Sequence, residues 1–199
     1  MQTNTSGGPD TRDDIAPAWL DQLRRDAGDQ LAQLAPPSGS EERWRYTPVE
    51  RLLPASHGGA PPVEHDGLEL PAGARPLLAL DEERPPGARI VQLDGRLAQR
   101  TLSREARDAG VIITSLERAA REHGPLVRSR LGRLAGADDY FSAASLASFR
   151  GGTFIHVPAG VALEAPLQAL SWLRAAGAAH ASRTVVVVDE GAMAVFNDL

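Results

Sequence analysis

A strand–glycine–strand pattern occurs twice in the second half of the sequence, at an offset of 31 residues. FIHVPAGVAL at residues 154–163 aligns with VVVVDEGAMA at 185–194, so that four β-forming residues align with four valines and Gly160 aligns with Gly191. Strand–turn–strand patterns also arise by chance. Two that share a spacing and a corner glycine are typical of successive turns of a parallel β-helix, in which each turn stacks on the previous one. The sequence therefore predicts a stack of strands over residues 151–199.

The first organised segment is a predicted helix from about Asp14 to Leu34, in which apolar side chains recur at three- and four-residue steps. An aspartate precedes it as a candidate cap, and Pro17 suits its first turn. Trp44 and Tyr46 follow in the segment EERWRYTP. These two aromatic side chains could form a docking patch, because such residues are enriched at interfaces, or they could anchor the N-terminal helix to the strands that follow. We favour packing.

Three further helices are predicted before residue 150. A capping-box pattern, TSLE at 114–117, predicts a helix that ends at His123. The next helix begins at Gly124-Pro125 and runs to about Leu134. The third is DDYFSAASLASF at 138–149, whose many small residues favour close packing.

Short apolar runs separated by proline and glycine lie between residues 54 and 110 and predict small strands. The run ARIVQL at 88–93 ends at Asp94-Gly95, a tight-turn signal. At Gly151-Gly152 the hydrophobic period changes from helical to strand-like, which marks a domain boundary. The predicted fold class is α+β, a helical region with short strands followed by the first turns of a right-handed parallel β-helix. The predicted domains are a disordered tail at 1–13, a helical or mixed domain at 14–150 and the start of the β-helix core at 151–199.

The composition excludes several chemistries. The chain has 199 residues and no cysteine, which excludes disulfides, thiolate metal sites and a cysteine nucleophile within it. All 21 basic residues are arginine, so a Schiff-base or P-loop lysine is also excluded. Residues 1–13 lack the apolar core of a signal peptide, and no apolar run is long enough to cross a membrane. We therefore expect a cytoplasmic protein with no membrane partner.

Between Arg96 and Arg133 there are nine arginines and four acidic residues. This excess could mark an RNA- or phosphate-binding face, or it could be a solvated helical surface supported by i,i+4 pairs such as Glu117–Arg121. Aromatic residues make up only 5% of the chain and the net charge is −5, whereas a nucleic-acid binder uses aromatic rings among its basic residues. We therefore predict a solvated face and no nucleic-acid partner.

We predict no catalytic, cofactor-binding or metal-binding residue. His156 lies in a strand pattern without a visible partner, and we interpret it as a histidine of the strand wall. Glu164 could be imagined beside Asp189-Glu190 as a carboxylate pair, but nothing in the sequence brings them together. The other histidines have no ligand spacing, and the one in the last turn of a predicted helix complements the helix dipole. They are His57, His65, His123 and His180.

Several motifs resemble, in order, those of the SufD family, a component of the SUF machinery that assembles iron–sulfur clusters. They are PAWLDQLRRDAGDQLAQL and EERWRYTP, then RIVQLDGRL and GVIITSLERAAREHG, and finally FSAASLASFRGGTFIHVPAGVALEAPLQ and SRTVVVVDEGAMAVF. Together they extend from about Pro17 to Phe196. The related SufB subunit shares the VPAGV element, whereas the opening helix followed by WRYTP is more similar to SufD.

The resemblance implies a scaffold subunit and not an enzyme. Proteins of this family have a helical amino-terminal region, a central right-handed parallel β-helix and a carboxyl-terminal helical region. They pair with SufB through the β-helix, and their carboxyl-terminal region recruits SufC, the ATPase of the complex. The complex handles iron–sulfur clusters and SufC uses ATP, so the resemblance implies no cofactor bound by this chain itself.

The sequence departs from the family pattern at Leu199, about two turns into the expected β-helix. The resemblance places most of the β-helix and the SufC-binding region beyond this residue, so we expect an amino-terminal fragment and assign no functional residue of the missing half. A solenoid turn buries its apolar face only against its neighbours. We therefore predict that the isolated chain aggregates or orders residues 151–199 poorly.

The rival interpretation is a small β-solenoid or cupin-like enzyme acting on a sugar or a similar metabolite. Such an enzyme needs a cluster of histidine and carboxylate side chains on one sheet face, often as a metal site. The relevant region offers only His156 and Glu164. A metal-content assay would separate this interpretation from the scaffold.

Overall fold

A computed structural model of the chain describes residues 15–49, 69–74, 76–77, 85–174 and 180–199. Helices and short strands alternate along these residues, and the strands form two mixed sheets. The helices are α1 (Ala18–Leu31), α2 (Arg104–Asp108), α3 (Leu116–Glu122), α4 (Gly124–Arg128) and α5 (Tyr140–Ser148), with a 3-10 turn at Glu42–Trp44. The strands are β1 (Ala88–Leu93), β2 (Arg96–Leu102), β3 (Ile112–Ser115), β4 (Gly152–Val157), β5 (Leu167–Trp172), β6 (Arg183–Val188) and β7 (Phe196–Asp198).

Helix α1 is shorter than its apolar pattern predicts. Pro17 is the residue that precedes the helix rather than part of its first turn, and it supplies no side-chain cap. Leu20 and Ala27 are fully or almost fully buried, so the predicted apolar face is the one that packs. The face lies against α5 and the chain after it. The predicted cap at Asp13 or Asp14 lies outside the described residues.

The caps of two other helices are set by short polar side chains. Asp139 accepts a hydrogen bond from the Ser142 amide at 3.0 Å and begins α5, which lies within the helix predicted at 138–149. Helix α3 begins one residue later than its capping-box pattern predicts, because Ser115 accepts from the Arg118 amide while Thr114 remains in β3. The predicted capping box is therefore wrong in register. Helix α4 also ends at Arg128, well short of the predicted end, and a series of turns follows it.

The predicted strand at 88–93 and its tight turn are confirmed. Strands β1 and β2 form an antiparallel hairpin around Asp94 and Gly95. Both turn residues have positive φ, 49° and 81°, as a two-residue hairpin turn of the primed type requires. Elsewhere between residues 54 and 87 much of the chain lies outside the described residues, and residues 69–74 contain a turn and no strand.

The two sheets have the strand orders β2-β1-β5-β7 and β3-β4-β6. Parallel pairing joins β1 to β5, β5 to β7 and β4 to β6. Between β4 and β6 the partners are 31 residues apart, as in the pair Gly152 and Arg183, and the same spacing separates the bridged residues Ala162 and Met193. The offset found in the sequence is therefore the register in which the two segments pair.

The two sheets enclose one apolar cluster, and the helices cover the outer face of the β3-β4-β6 sheet with another. The enclosed cluster contains Ile90, Ile113, Ile155 and Leu167 from both sheets. The outer cluster joins Leu20 of α1 and Leu116 of α3 to Phe149 and Phe154. Because strands from before and after residue 150 pair in both sheets, the predicted domain boundary at residue 151 runs through each sheet. The described chain is a mixed α+β structure. The predicted tail at 1–13 lies outside the described residues.

Candidate functional site

The most exposed apolar surface of the strand stack lies at β6, β7 and the connection between them, which we call the stack end. Strands β6 and β7 are edge strands in the two sheets described. Val186 and Val188 pair with Ile155 and Val157 in parallel register, and paired residues in neighbouring strands point to the same side of a sheet. Ile155 and Val157 are fully buried, whereas Val186 and Val188 are 42% and 47% exposed. The space between the sheets is therefore open at this end.

The connection at the stack end adds further apolar surface. Met193 and Val195 are more than half exposed, with relative exposures of 70% and 58%. The chain reaches them through a corner at Gly191, whose φ of +70° matches the +71° of Gly160, 31 residues earlier. An exposed edge with unpaired backbone groups and aliphatic side chains is a template for pairing with another strand. Contact with another polypeptide is what this surface is suited to.

A buried carboxylate positions the helices against the start of the strand stack. Glu117 Oε1 accepts a hydrogen bond from Arg24 Nη2 and another from the Gly151 amide, each at 3.0 Å. Both side chains are at least nine-tenths buried, and the Arg24 guanidinium lies 4.3 Å from the ring centroid of Phe149. One carboxylate therefore joins α1 to the residue at which the chain enters β4. We call Arg24, Glu117 and Gly151 the junction.

Gly151 makes the junction compact. Its φ is +74°, and a Cβ on it would overlap the carbonyl oxygen of Gly95 in the β1–β2 turn. Gly152, the next residue, is also fixed in position, because its carbonyl accepts a hydrogen bond from the Gln92 side-chain amide. The helical region, the hairpin and the stack thus meet at two adjacent glycines, which sequence reasoning identified only as a change of period.

His156 lies in β4, where the interpretation as a strand-wall histidine places it, and it has a partner that was not visible in the sequence. Its Nε2 lies 2.8 Å from Oδ2 of Asp189, which follows β6. The His156 side chain is mostly buried and that of Asp189 is partly exposed. The pair joins consecutive levels of the stack at its side. The 31-residue register pairs His156 with Val187, and Asp189 lies two residues further along, so this register was a sequence signal that brings the two side chains near each other.

The carboxylates considered as a pair do not meet. Asp189 bonds to His156, while Glu164 and Glu190 are exposed. Among the described residues, no group of three or more histidine, aspartate or glutamate side chains is placed to hold a metal ion.

The two other described histidines have structural surroundings. His123 joins α3 to α4 and stacks on Phe154, with 6.5 Å between ring centroids. His180 lies against Gly95, and burial lowers its pKa, an effect that the nearby Asp94 carboxylate opposes. Asp94 also accepts two hydrogen bonds from Arg174, at 2.8 and 2.6 Å, which holds the chain leaving β5 against the hairpin turn. His57 and His65 lie outside the described residues.

The arginine-rich segment between residues 96 and 133 is partly neutralised. Arg104 pairs with Asp108 and Arg118 pairs with Glu122, both at the i,i+4 spacing. Glu117, which the sequence suggested as a partner of Arg121, bonds to Arg24 and Gly151 instead. The i,i+4 ion pairs expected of a solvated helical face are therefore present once in α2 and once from α3.

Trp44 and Tyr46, for which packing and a docking patch were both considered, have different surroundings. Trp44 packs edge-to-face on Phe141 of α5, with 5.3 Å between ring centroids. Tyr46 is 91% exposed. Trp44 therefore packs, against a helix, whereas Tyr46 does not.

No helix within the described ranges is long and apolar enough to cross a membrane.

Comparison with known proteins identifies the family. The SufBD protein N-terminal region matches residues 10–169. A relative named iron-sulfur cluster assembly protein SufD, from Bacillus subtilis, is 31% identical over 163 residues, which are 77% of this chain and 35% of that protein. Iron-sulfur cluster assembly SufBD family proteins of Staphylococcus saprophyticus and Staphylococcus haemolyticus are 28% and 30% identical over 178 residues, 88% of this chain and 34% of each relative.

The mixed fold, the parallel strand levels and the exposed strand edges define a strand-stacking protein of the α+β class. The chain belongs to the SufBD family of iron–sulfur cluster assembly proteins, whose amino-terminal region it contains. It spans about a third of the length of the curated relatives it matches.

Proposed function

We propose that this chain is the amino-terminal region of a SufD-type scaffold subunit of the SUF complex. In this role it supports iron–sulfur cluster assembly together with SufB and the ATPase SufC, in the cytoplasm and without catalysis of its own. The observation that carries the proposal is the family match over residues 10–169, strengthened by the similarity to a protein named SufD. The order of a helix, the WRYTP element and the strand repeat supports SufD over SufB.

We further propose that the stacked strands are the first turns of a right-handed parallel β-helix. Three features support this. The β4–β6 pairs and the Ala162–Met193 bridge join residues 31 positions apart, both sheets contribute a strand to each level, and a glycine with positive φ forms the same corner twice. Because each turn buries its apolar face only against its neighbours, the exposed Val186 and Val188 fit a position beneath a further turn.

The partner assignments follow from the same proposal. SufB would be contacted through the β-helix, and SufC through a region that follows the sequence described here. The cluster and ATP belong to the complex, and we assign no resident cofactor and no nucleic-acid partner to this chain. The rival metabolite enzyme would need a ligand cluster, and His156 with Asp189 supplies two groups where a catalytic zinc site uses three protein ligands.

The test is purification from the native host through a tag at Met1, followed by intact mass of the tagged protein and identification of its partners. We expect SufB and SufC to co-purify in stoichiometric amounts. Recovery of neither protein would refute the SUF role, and stoichiometric bound zinc, iron or manganese would favour the metabolite enzyme.

A variant pair tests the contribution of the strand stack. Val186→Asp with Val188→Asp places two charges between the sheets at the stack end, where a further turn would have to bury them. Ile15→Asp, at a residue that is also exposed but lies before α1, is the matched control. We expect the stack-end variant to lose SufB while the control retains it. Equal SufB recovery with both variants would contradict the β-helix proposal.

A further inference from the structure

A basic loop begins at the last residue of α4. It consists of residues 128–134, and its arginines are Arg128, Arg130 and Arg133, all of which are exposed. The loop ends with Leu134, whose side chain is fully exposed. Three exposed arginines and one fully exposed leucine thus lie within seven residues of a chain whose net charge is −5.

The charges of this loop are not neutralised internally. Within the part of the chain that the structure describes, neither Arg130 nor Arg133 forms an ion pair. Arg128 lies 5.9 Å above the ring of Trp19, a contact that leaves its charge in place. Arg104 of α2 and Arg118 of α3 differ, since each has a carboxylate partner four residues away. The three arginines of the basic loop therefore contribute to the excess of positive charge noted in the sequence.

The loop is held in a defined conformation. Leu131 is buried, and its amide donates to the Val127 carbonyl at 2.8 Å. At the far end of the loop, Arg183 of β6 donates from Nη1 to the Ala135 carbonyl at 2.6 Å. The arginine side chains and Leu134 are thus presented from a fixed backbone, which lowers the entropy lost when a partner binds.

We propose that the basic loop is a docking surface for an acidic protein surface that has an apolar recess for Leu134. Arginine is enriched at protein interfaces, where it is surrounded by complementary charge, and an apolar anchor at the centre of a contact supplies much of its stability. A protein fits better than a nucleic acid, because the loop carries a leucine at its exposed end and no aromatic ring on which a base could stack. The inference does not depend on the SUF assignment.

The experiment uses the full chain expressed in its host, with Leu134→p-benzoylphenylalanine as a photo-crosslinking probe. Three forms are compared, one with the probe alone, one with Arg130→Glu and Arg133→Glu added, and one with Arg104→Glu and Arg107→Glu added. The last is the matched control, because it reverses two exposed arginines of α2 and leaves the loop intact. Circular dichroism and thermal melts establish that all three forms are folded to the same extent.

We expect one crosslinked protein peptide that is rich in aspartate and glutamate. Its yield should fall at least about tenfold in the loop variant and in high salt, and stay unchanged in the α2 variant, because reversed charges at a contact repel their former partners. Crosslinks to nucleic acid or lipid, a peptide without acidic residues, the absence of any crosslink, or a yield that is equal in the two charge-reversed forms would each overturn the proposal.

Discussion

Glu117 at the junction gives the sharpest test of how the helices and the strand stack are joined. Replacing it with alanine leaves the buried Arg24 guanidinium with only the half-exposed Asp21 carboxylate, at 3.2 Å, and removes the acceptor of the Gly151 amide. Breaking a buried ion pair from one side costs about 3–5 kcal/mol, and an unsatisfied buried amide costs about 1–3 kcal/mol. The two losses share one site and do not add fully. We expect Glu117→Ala to lower the free energy of unfolding by about 3–5 kcal/mol.

A loss of this size is a large part of the stability of a typical domain, about 5–15 kcal/mol. For a chain of this length it corresponds to a decrease in Tm of roughly 6–20 °C. The assay is urea unfolding followed by tryptophan fluorescence, because Trp19 of α1 donates from Nε1 to the Ala120 carbonyl of α3 and reports on the contact between these helices. Glu122→Gln is the control. It weakens the more exposed pair with Arg118 and should cost less than about 1 kcal/mol.

A double variant separates the ion pair from simple damage to the core. Arg24→Met combined with Glu117→Gln removes both charges, keeps an acceptor for the Gly151 amide and preserves the approximate side-chain volumes. Replacing a whole buried pair is often neutral, whereas removing one partner is not. We expect the double variant to be more stable than Arg24→Met alone. Two results would refute the junction as described. One is a Glu117→Ala variant that is no less stable than Glu122→Gln, and the other is a double variant that is less stable than Arg24→Met alone.

Three further predictions concern other parts of the chain. Gly151→Ala should prevent stable folding, because its Cβ would overlap backbone, whereas Gly160→Ala, with the same positive φ and open space around it, should cost about 1–2 kcal/mol in thermal melts. Hydrogen bonds from Ser142 hold the pKa of Asp139 below its ordinary 3.8. Stability from this group is therefore present above about pH 3.8 and is lost as the pH falls through the lower folded-state pKa, and Asp139→Asn should remove that part of the acid dependence in pH-resolved melts. Because the stack end is open, we expect weak hydrogen-exchange protection at residues 184–196 in the isolated chain; strong protection in a monodisperse monomer would contradict this.

Features that depend on neighbouring residues could be read from the sequence. The hairpin turn at Asp94-Gly95, the cap of α5 at Asp139 and the strand starting near Gly152 all have local chemical signatures. Turn geometry, capping and hydrophobic period act within a few residues, so the sequence states them directly. The 31-residue offset also predicted the pairing of β4 with β6, because a repeated local pattern indicates how its copies stack.

The tertiary structure decided the partners of individual polar side chains. Glu117 matched a local capping pattern and a local ion pair, yet it bonds to Arg24, 93 residues away, and to Gly151, 34 residues away. His156 seemed to stand alone until the stacking of β6 on β4 brought Asp189 to it. A buried charge must find a partner wherever the fold supplies one, because its desolvation costs more than a local contact in water returns. That choice depends on which distant segments pack together, and no local sequence pattern records it.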